Sequence, residues 1–164
     1  SGFQEDWLEI EYDLETQDFR EGTIQLEPAC EEEELWSALV LGVRDYARKC
    51  GFSKIVLGLS GGIDSSLVAA IAASALGAEH VLGILMPSPY SSDHSISDAL
   101  ELAQNLGIQT QRLAIGTLME CYDQTLDSLF AGTPFGLAEE NLQSRIRGTL
   151  LMAISNKFGH LLVS

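Results

Sequence analysis

The run Gly58-Leu59-Ser60-Gly61-Gly62-Ile63-Asp64-Ser65-Ser66 follows a short apolar stretch that begins at Lys54 and precedes a segment of helical character. Two adjacent glycines let a backbone turn tightly and bring its N–H groups against an anion. Ser60, Ser65 and Ser66 add hydroxyl donors, and the unpaired N–H groups and dipole at a helix start favour negative charge. Residues of these types at this spacing predict a phosphate-binding loop between a strand and a helix. The loop lacks the lysine and spacing of G-x-x-x-x-G-K-[ST], and it lacks the third glycine of G-x-G-x-x-G. A plain glycine turn with Asp64 or Ser65 as N-cap explains the turn, but not the concentration of anion donors after a buried strand.

A second group lies near the end of the chain. Asn141, Arg145 and Gly148 are spaced four and three apart and so share one face of a helix. An amide, a guanidinium and a bare stretch of backbone make a cradle for a ring, a carboxylate or a phosphate, and arginine suits planar anions. Leu142, Ile146, Leu150 and Ala153 are expected on the neighbouring, apolar face. The competing reading makes Arg145 and Arg147 solvated charges, or pairs them with Glu139 and Glu140. His80, His94 and His160 are isolated and show no metal-ligand pairing. Trp7 and Trp36, and the pair Phe130 and Phe135, read as packing anchors.

These groups must be held by elements that the periodicity outlines. Leu35, Leu39, Val43, Tyr46, Ala47 and Cys50 predict a helix stopping at Gly51. Further helices are predicted from about Asp64 to Leu76, around Ile96–Leu106, over Thr117–Phe130 and from about Glu139 to Phe158. Strands are predicted at 54–59, His80–Met86, Gln109–Leu113 and from His160 onward. Strands alternating with helices, each strand too apolar to have a wet face, indicate a parallel sheet covered on both sides. In such a sheet, ligands sit where a strand's carboxyl end meets the next helix, which is the place of the glycine loop.

Composition narrows the function classes. The chain has 164 residues, enough for one sizeable core, and no run of apolar residues long enough to span a membrane. Its net charge of -15 is concentrated in the first 34 residues, which hold 13 acids and one base. The other 130 carry 11 acids and eight bases, so no basic stripe exists for nucleic acid. The acidic leader, ending in Glu31–Glu34, reads as a solvated and partly disordered linker or domain tail, with its last glutamates suited to a helix start. Cys30, Cys50 and Cys121 lie far apart, as in a reducing cytosol, with neither a zinc nor a disulfide framework.

Ser60, Gly61, Gly62, Asp64 and Ser65 fill every fixed position of S-G-G-x-D-S, and in this the chain resembles the ATP-pyrophosphatase family. That signature is shared by enzymes that make GMP, asparagine, argininosuccinate and modified tRNA. Other segments point further. Met86-Pro87-Ser88, Tyr90-Ser91-Ser92, Asp98-Ala99, Leu102-Ala103 and Leu106-Gly107-Ile108 resemble the stretch after the second strand of NAD synthetases. Glu140-Asn141-Leu142-Gln143-Ser144-Arg145-Ile146-Arg147-Gly148 resembles their E-N-x-Q-x-R-x-R-G segment, so that the match covers most of residues 54–164. Residues 1–34 resemble, loosely, the tail of the glutaminase domain that precedes the synthetase domain in the glutamine-dependent enzymes.

The resemblance implies an α/β, Rossmann-like parallel sheet with helices on both faces, truncated, with the synthetase domain spanning 35–164. It implies that Gly58, Leu59, Ser60, Gly61, Gly62, Ile63, Asp64, Ser65 and Ser66 hold ATP and the leaving pyrophosphate, with Asp64 near magnesium. It implies that Asn141 and Arg145 contact deamido-NAD, which is amidated through an adenylate by ammonia that a glutaminase domain draws from glutamine. No side-chain nucleophile is required. A cytoplasmic homo-oligomer without nucleic-acid or membrane partners is expected. In the family, the strand matching His160–Ser164 is followed by a T-G-N-K-S-E-like segment, so the chain by itself is expected not to turn over. The alternatives are a GMP-synthetase-like amidotransferase and a nucleotide-binding module without turnover.

Overall fold

The computed structural model describes residues 3, 9–20 and 30–164; Trp7 and residues 21–29 of the acidic leader lie outside them. Within the leader, β1 (Tyr12–Asp13) and β2 (Asp18–Phe19) form a small antiparallel hairpin. The Asp13 carboxylate accepts the N–H groups of Glu15 and Thr16, at 2.8 and 3.3 Å, and pairs with Arg20 at 3.1 Å. Those bonds hold its pKa below the ordinary carboxylate value. The leader, expected to be solvated and partly disordered, thus carries a local hairpin at these residues, with Arg20 placed against Glu11 and Asp13 and the rings of Tyr12 and Phe19 in contact across it.

Six further elements alternate as predicted before the chain turns back: α1 (Glu31–Lys49), β3 (Ile55–Gly58), α2 (Ile63–Leu76), β4 (Val81–Leu85), α3 (Asp93–Leu106) and β5 (Gln109–Arg112). Then come α4 (Gly116–Phe130), α5 (Leu137–Phe158) and β6 (Leu161–Leu162). The run of glutamates forms the first turn of α1, where acids oppose the helix dipole favourably, so the helix starts four residues earlier than its apolar spacing predicts.

The large sheet is parallel throughout, in the order β5-β4-β3-β6. Side chains alternate across it. Ile55, Leu57, Val81 and Leu85 face α2 and α3, where they pack on Ala69, Ala72, Ala99 and Ala103. Val56 and Ile84 face α4 and α5, against Met119 and Ile146. Both central strands are therefore apolar on both faces, as the uninterrupted IVLG and VLGIL runs require. The α2 helix is apolar all round because it is itself sandwiched: Ile71 and Ala75 turn away from the sheet and pack on Val40 and Trp36 of α1. Arg44 of α1 donates to the carbonyls of Ala75 and Ser74, at 3.0 and 3.1 Å, closing the C-terminal end of α2.

One strand departs from expectation. All four residues of β5, Gln-Thr-Gln-Arg, are exposed; β5 forms the edge of the sheet and among the described residues pairs only with β4. Phe135 departs too: it is exposed and leans on Tyr90, with ring centroids 5.6 Å apart, instead of anchoring a core with Phe130.

From β3 the chain steps to β4 and β5 with its helices on one face, then returns over the other face through α4 and α5 to place β6 on the far side of β3. The direction of winding therefore reverses beside β3. In open parallel sheets this reversal opens a crevice at the carboxyl ends of the strands. Residues 58–66 leave β3 at that point.

Candidate nucleotide site

The loop is built from the strand outward. Leu59 is buried and packs where Gly83 of β4 has no side chain, which fixes the base of the loop against the neighbouring strand. Gly61 then takes a φ of +80°, and a Cβ there would strike the backbone carbonyl of Ser95 in α3. Only glycine fits both the angle and the space. Gly62 is the N-cap of α2, and no side chain caps the helix, neither Asp64 nor Ser65. The tight turn predicted from the glycine pair is present, and the close approach that Gly61 permits is to the backbone of Ser95.

The serines form a closed ring. The Gly62 N–H donates to Ser60 Oγ at 3.2 Å, and Ser60 Oγ lies 3.0 Å from Ser65 Oγ. The Ser65 hydroxyl donates to the Gly62 carbonyl at 3.0 Å. A hydroxyl has one proton, so Ser60 must donate to Ser65. Ser66 spends its own proton on the same Gly62 carbonyl, at 2.9 Å. The three hydroxyls expected as anion donors are thus committed to holding the loop. The N–H groups of Gly61, Ile63, Asp64 and Ser65 have no protein acceptor among the described residues, so the backbone supplies the open donors.

Beside the start of the loop, at Ser60, lies a cavity of about 530 Å³. Gly58, Leu59 and Ser60 form one wall, Leu85, Met86 and Pro87 the end of β4, and Ser92, Ser95 and Ile96 the start of α3. Ser92 caps α3 by accepting the Ser95 N–H at 3.2 Å, and Tyr90 stands at the rim. The remaining wall is Arg147 and Leu151 of α5. Apolar walls with a few placed polar groups suit the base and sugar of a nucleotide, with its phosphates against the loop.

Arg147 was not singled out by the helical spacing. Its Nε donates to the Met86 carbonyl at 3.2 Å, and partial burial pulls its pKa below the ordinary guanidinium value. Asn141 and Arg145 lie elsewhere, both exposed on the outer face of α5, with Arg145 Nη1 donating to the Asn141 carbonyl at 3.1 Å. Ser144, Arg145, Gly148, Thr149 and Met152 line a shallow, open depression there. Neither arginine pairs with Glu139 or Glu140; Glu139 instead accepts the Gly136 N–H at 2.7 Å. Ala153, expected on the buried face, is exposed.

Residues 35–164 match the family described as NAD synthase. The chain belongs to the NAD synthase family. It is 67% identical over 162 residues to a glutamine-dependent NAD(+) synthetase of Synechocystis sp., covering 99% of this chain and 29% of that protein. To the glutamine-dependent NAD(+) synthetase of Thermotoga maritima it is 57% identical over 133 residues, covering 81% of this chain and 23% of the relative. Its fold superposes on the glutamine-dependent NAD+ synthetase of Acinetobacter baumannii, a complex with ADP, with a TM-score of 0.86 and 43% identity. That likeness covers 93% of this chain and 29% of the other. The ammonia-dependent NAD synthetase of Campylobacter jejuni follows at TM-score 0.72 and 27% identity, covering 82% of this chain and 56% of that one. Membership of the NAD synthase family agrees with the resemblance carried by Ser60–Ser65 and Glu140–Gly148. The chain spans less than a third of the length of these glutamine-dependent relatives. Among the described residues no helix is long and apolar enough to cross a membrane.

Proposed function

We propose that this chain supplies the ATP site, and part of the dinucleotide site, of a glutamine-dependent NAD synthetase. The observation that carries this reading is the cavity at the reversal of the sheet, bordered at Ser60 by the start of a loop whose open donors are backbone N–H groups. The nicotinate carboxylate of deamido-NAD attacks the α-phosphorus of ATP, and the bond to the bridging oxygen breaks with release of pyrophosphate. Ammonia then adds to the acyl carbon of the adenylate, AMP leaves and a proton is lost. The loop from Ser60 to Ser66 favours the first step because fixed N–H dipoles stabilise charge that builds on the departing phosphates.

Magnesium fits the loop in one way. Among the described residues no three acidic, histidine or cysteine side chains gather as an all-protein cage. Asp64 is a single exposed carboxylate at the second residue of α2. Mg²⁺ commonly takes one or two carboxylates, several waters and the substrate phosphates, and Asp64 is placed to be such a ligand. The ion would neutralise phosphate charge.

Deamido-NAD is assigned to α5 through Asn141 and Arg145, with residues 1–34 as the tail of a glutaminase domain supplying ammonia. The exposed Leu129, Leu137, Met152 and Phe158 on α4 and α5 support self-association, and three exposed free cysteines suit a reducing, cytoplasmic setting. Arg145→Ala in the full-length enzyme is expected to weaken deamido-NAD about tenfold to a hundredfold, the worth of a lost charge-assisted bond, with ATP little changed. Separate titrations of the two substrates check this. Equal affinity in variant and parent removes Arg145 from the site.

The deciding assay supplies the full-length protein with ATP, magnesium, ammonia and deamido-NAD. NAD, AMP and pyrophosphate in equal amounts are expected, and xanthosine monophosphate should not react. ATP binding with no pyrophosphate release would instead favour a nucleotide-binding module.

A further inference from the structure

Among the described residues, Arg147 is the one charged side chain lining the cavity, and no carboxylate lines it with Arg147. Its Nε is taken by the Met86 carbonyl, a neutral acceptor. Among the described residues, too, no acid pairs with the guanidinium, and its two terminal nitrogens have no acceptor. A half-buried cation loses hydration without regaining a counterion, so its surroundings favour the arrival of an anion. The anchored Nε also fixes the plane of the fork, which presents the remaining N–H groups in one orientation. Ser60, where the loop begins, lines the same cavity.

We infer that Arg147 is a nucleotide-binding residue that contacts the α-phosphate, the group lying between a nucleoside in the cavity and a pyrophosphate on the loop. This rests on the nucleotide reading above and adds a residue to it. The β- and γ-phosphates are served by backbone donors that carry no full charge. Arg147 puts a full positive charge beside the phosphate that must become an adenylate, and keeps it there when pyrophosphate has left. AMP should therefore be recognised through Arg147 even though it has no group for the pyrophosphate loop.

The test compares AMP, adenosine and ATP binding by calorimetry in the full-length enzyme and in Arg147→Met and Arg147→Lys. Arg147→Met keeps the bulk of the wall and removes the charge; AMP should weaken about tenfold to a hundredfold, ATP similarly, and adenosine less than about twofold. Arg147→Lys keeps a charge but not the fork, so AMP should fall between parent and Arg147→Met, again with adenosine unaffected. If AMP and adenosine weaken together in either variant, Arg147 merely supports the wall through Met86 and the inference fails. Unchanged AMP affinity also overturns it. A parent enzyme that binds neither AMP nor ATP would sink the nucleotide reading itself, whereas a parent that binds both, with variants that bind equally well, sinks only the role of Arg147.

Discussion

Gly61→Ala is expected to lower ATP affinity and turnover by at least about a hundredfold, and stability by about 1–3 kcal/mol. At φ +80° an alanine is strained on its own, and its methyl would be driven into the Ser95 carbonyl, a backbone atom at the start of α3 that no rotamer change can move aside. Either α3 shifts or the loop flattens, and both displace the N–H groups that face the phosphates. Ser60→Ala is a useful contrast. It opens the serine ring but leaves every backbone donor in place, so its effect should be much smaller. Calorimetric ATP binding and urea unfolding on the two variants measure both effects, and a Gly61→Ala variant with ATP affinity near the parent's would show that the loop is not the phosphate site.

The second large effect concerns charge. Asp64→Asn preserves shape and removes one negative charge from an exposed position, so the fold should hold, with a change in stability of at most about 1 kcal/mol from the helix dipole. ATP affinity of the full-length parent should rise on adding magnesium, and this rise should largely vanish in Asp64→Asn, with turnover lower by about a hundredfold or more. Titrating ATP with magnesium and then with a chelator separates metal binding from folding. An unaltered response to magnesium would remove Asp64 as the metal ligand.

Legibility followed the strength of local chemistry. The loop could be placed because its glycines and hydroxyls stand between a buried run and a helix, and both sides of that junction are encoded within a short stretch of chain. The roles of its serines could not, because ring closure depends on how one turn directs the hydroxyl protons of Ser65 and Ser66 onto the Gly62 carbonyl and that of Ser60 onto Ser65. Helix spacing put Ile146 and Leu150 on the inward face of α5, but it also put Ala153 there, which is exposed, and did not single out Arg147. The inward stripe is Ile146, Leu150, Leu151 and Ile154, and at about 100° per residue Arg147 falls within it while Arg145 lies about 160° around the helix from Arg147. A charged residue inside an apolar stripe was the signal available. Likewise the polar letters of Gln109–Arg112 spoke for an edge strand, against a buried one.

The serine ring also sorts the amide protons of the loop into two kinds. Ser60 N–H rests on Ser65 Oγ at 3.3 Å, Gly62 N–H on Ser60 Oγ, and Ser66 N–H on the Gly62 carbonyl at 3.1 Å, whereas the amides of Gly61, Ile63, Asp64 and Ser65 between them are open. In deuterated water the first set should exchange slowly and the second quickly while no nucleotide is bound. Bound phosphate should slow the second set and leave the first nearly as it was. Because the protected and open amides interleave from Ser60 to Ser66, exchange resolved to single amides would give a residue-by-residue footprint of the anion, distinct from the uniform slowing that a general tightening of α2 would produce.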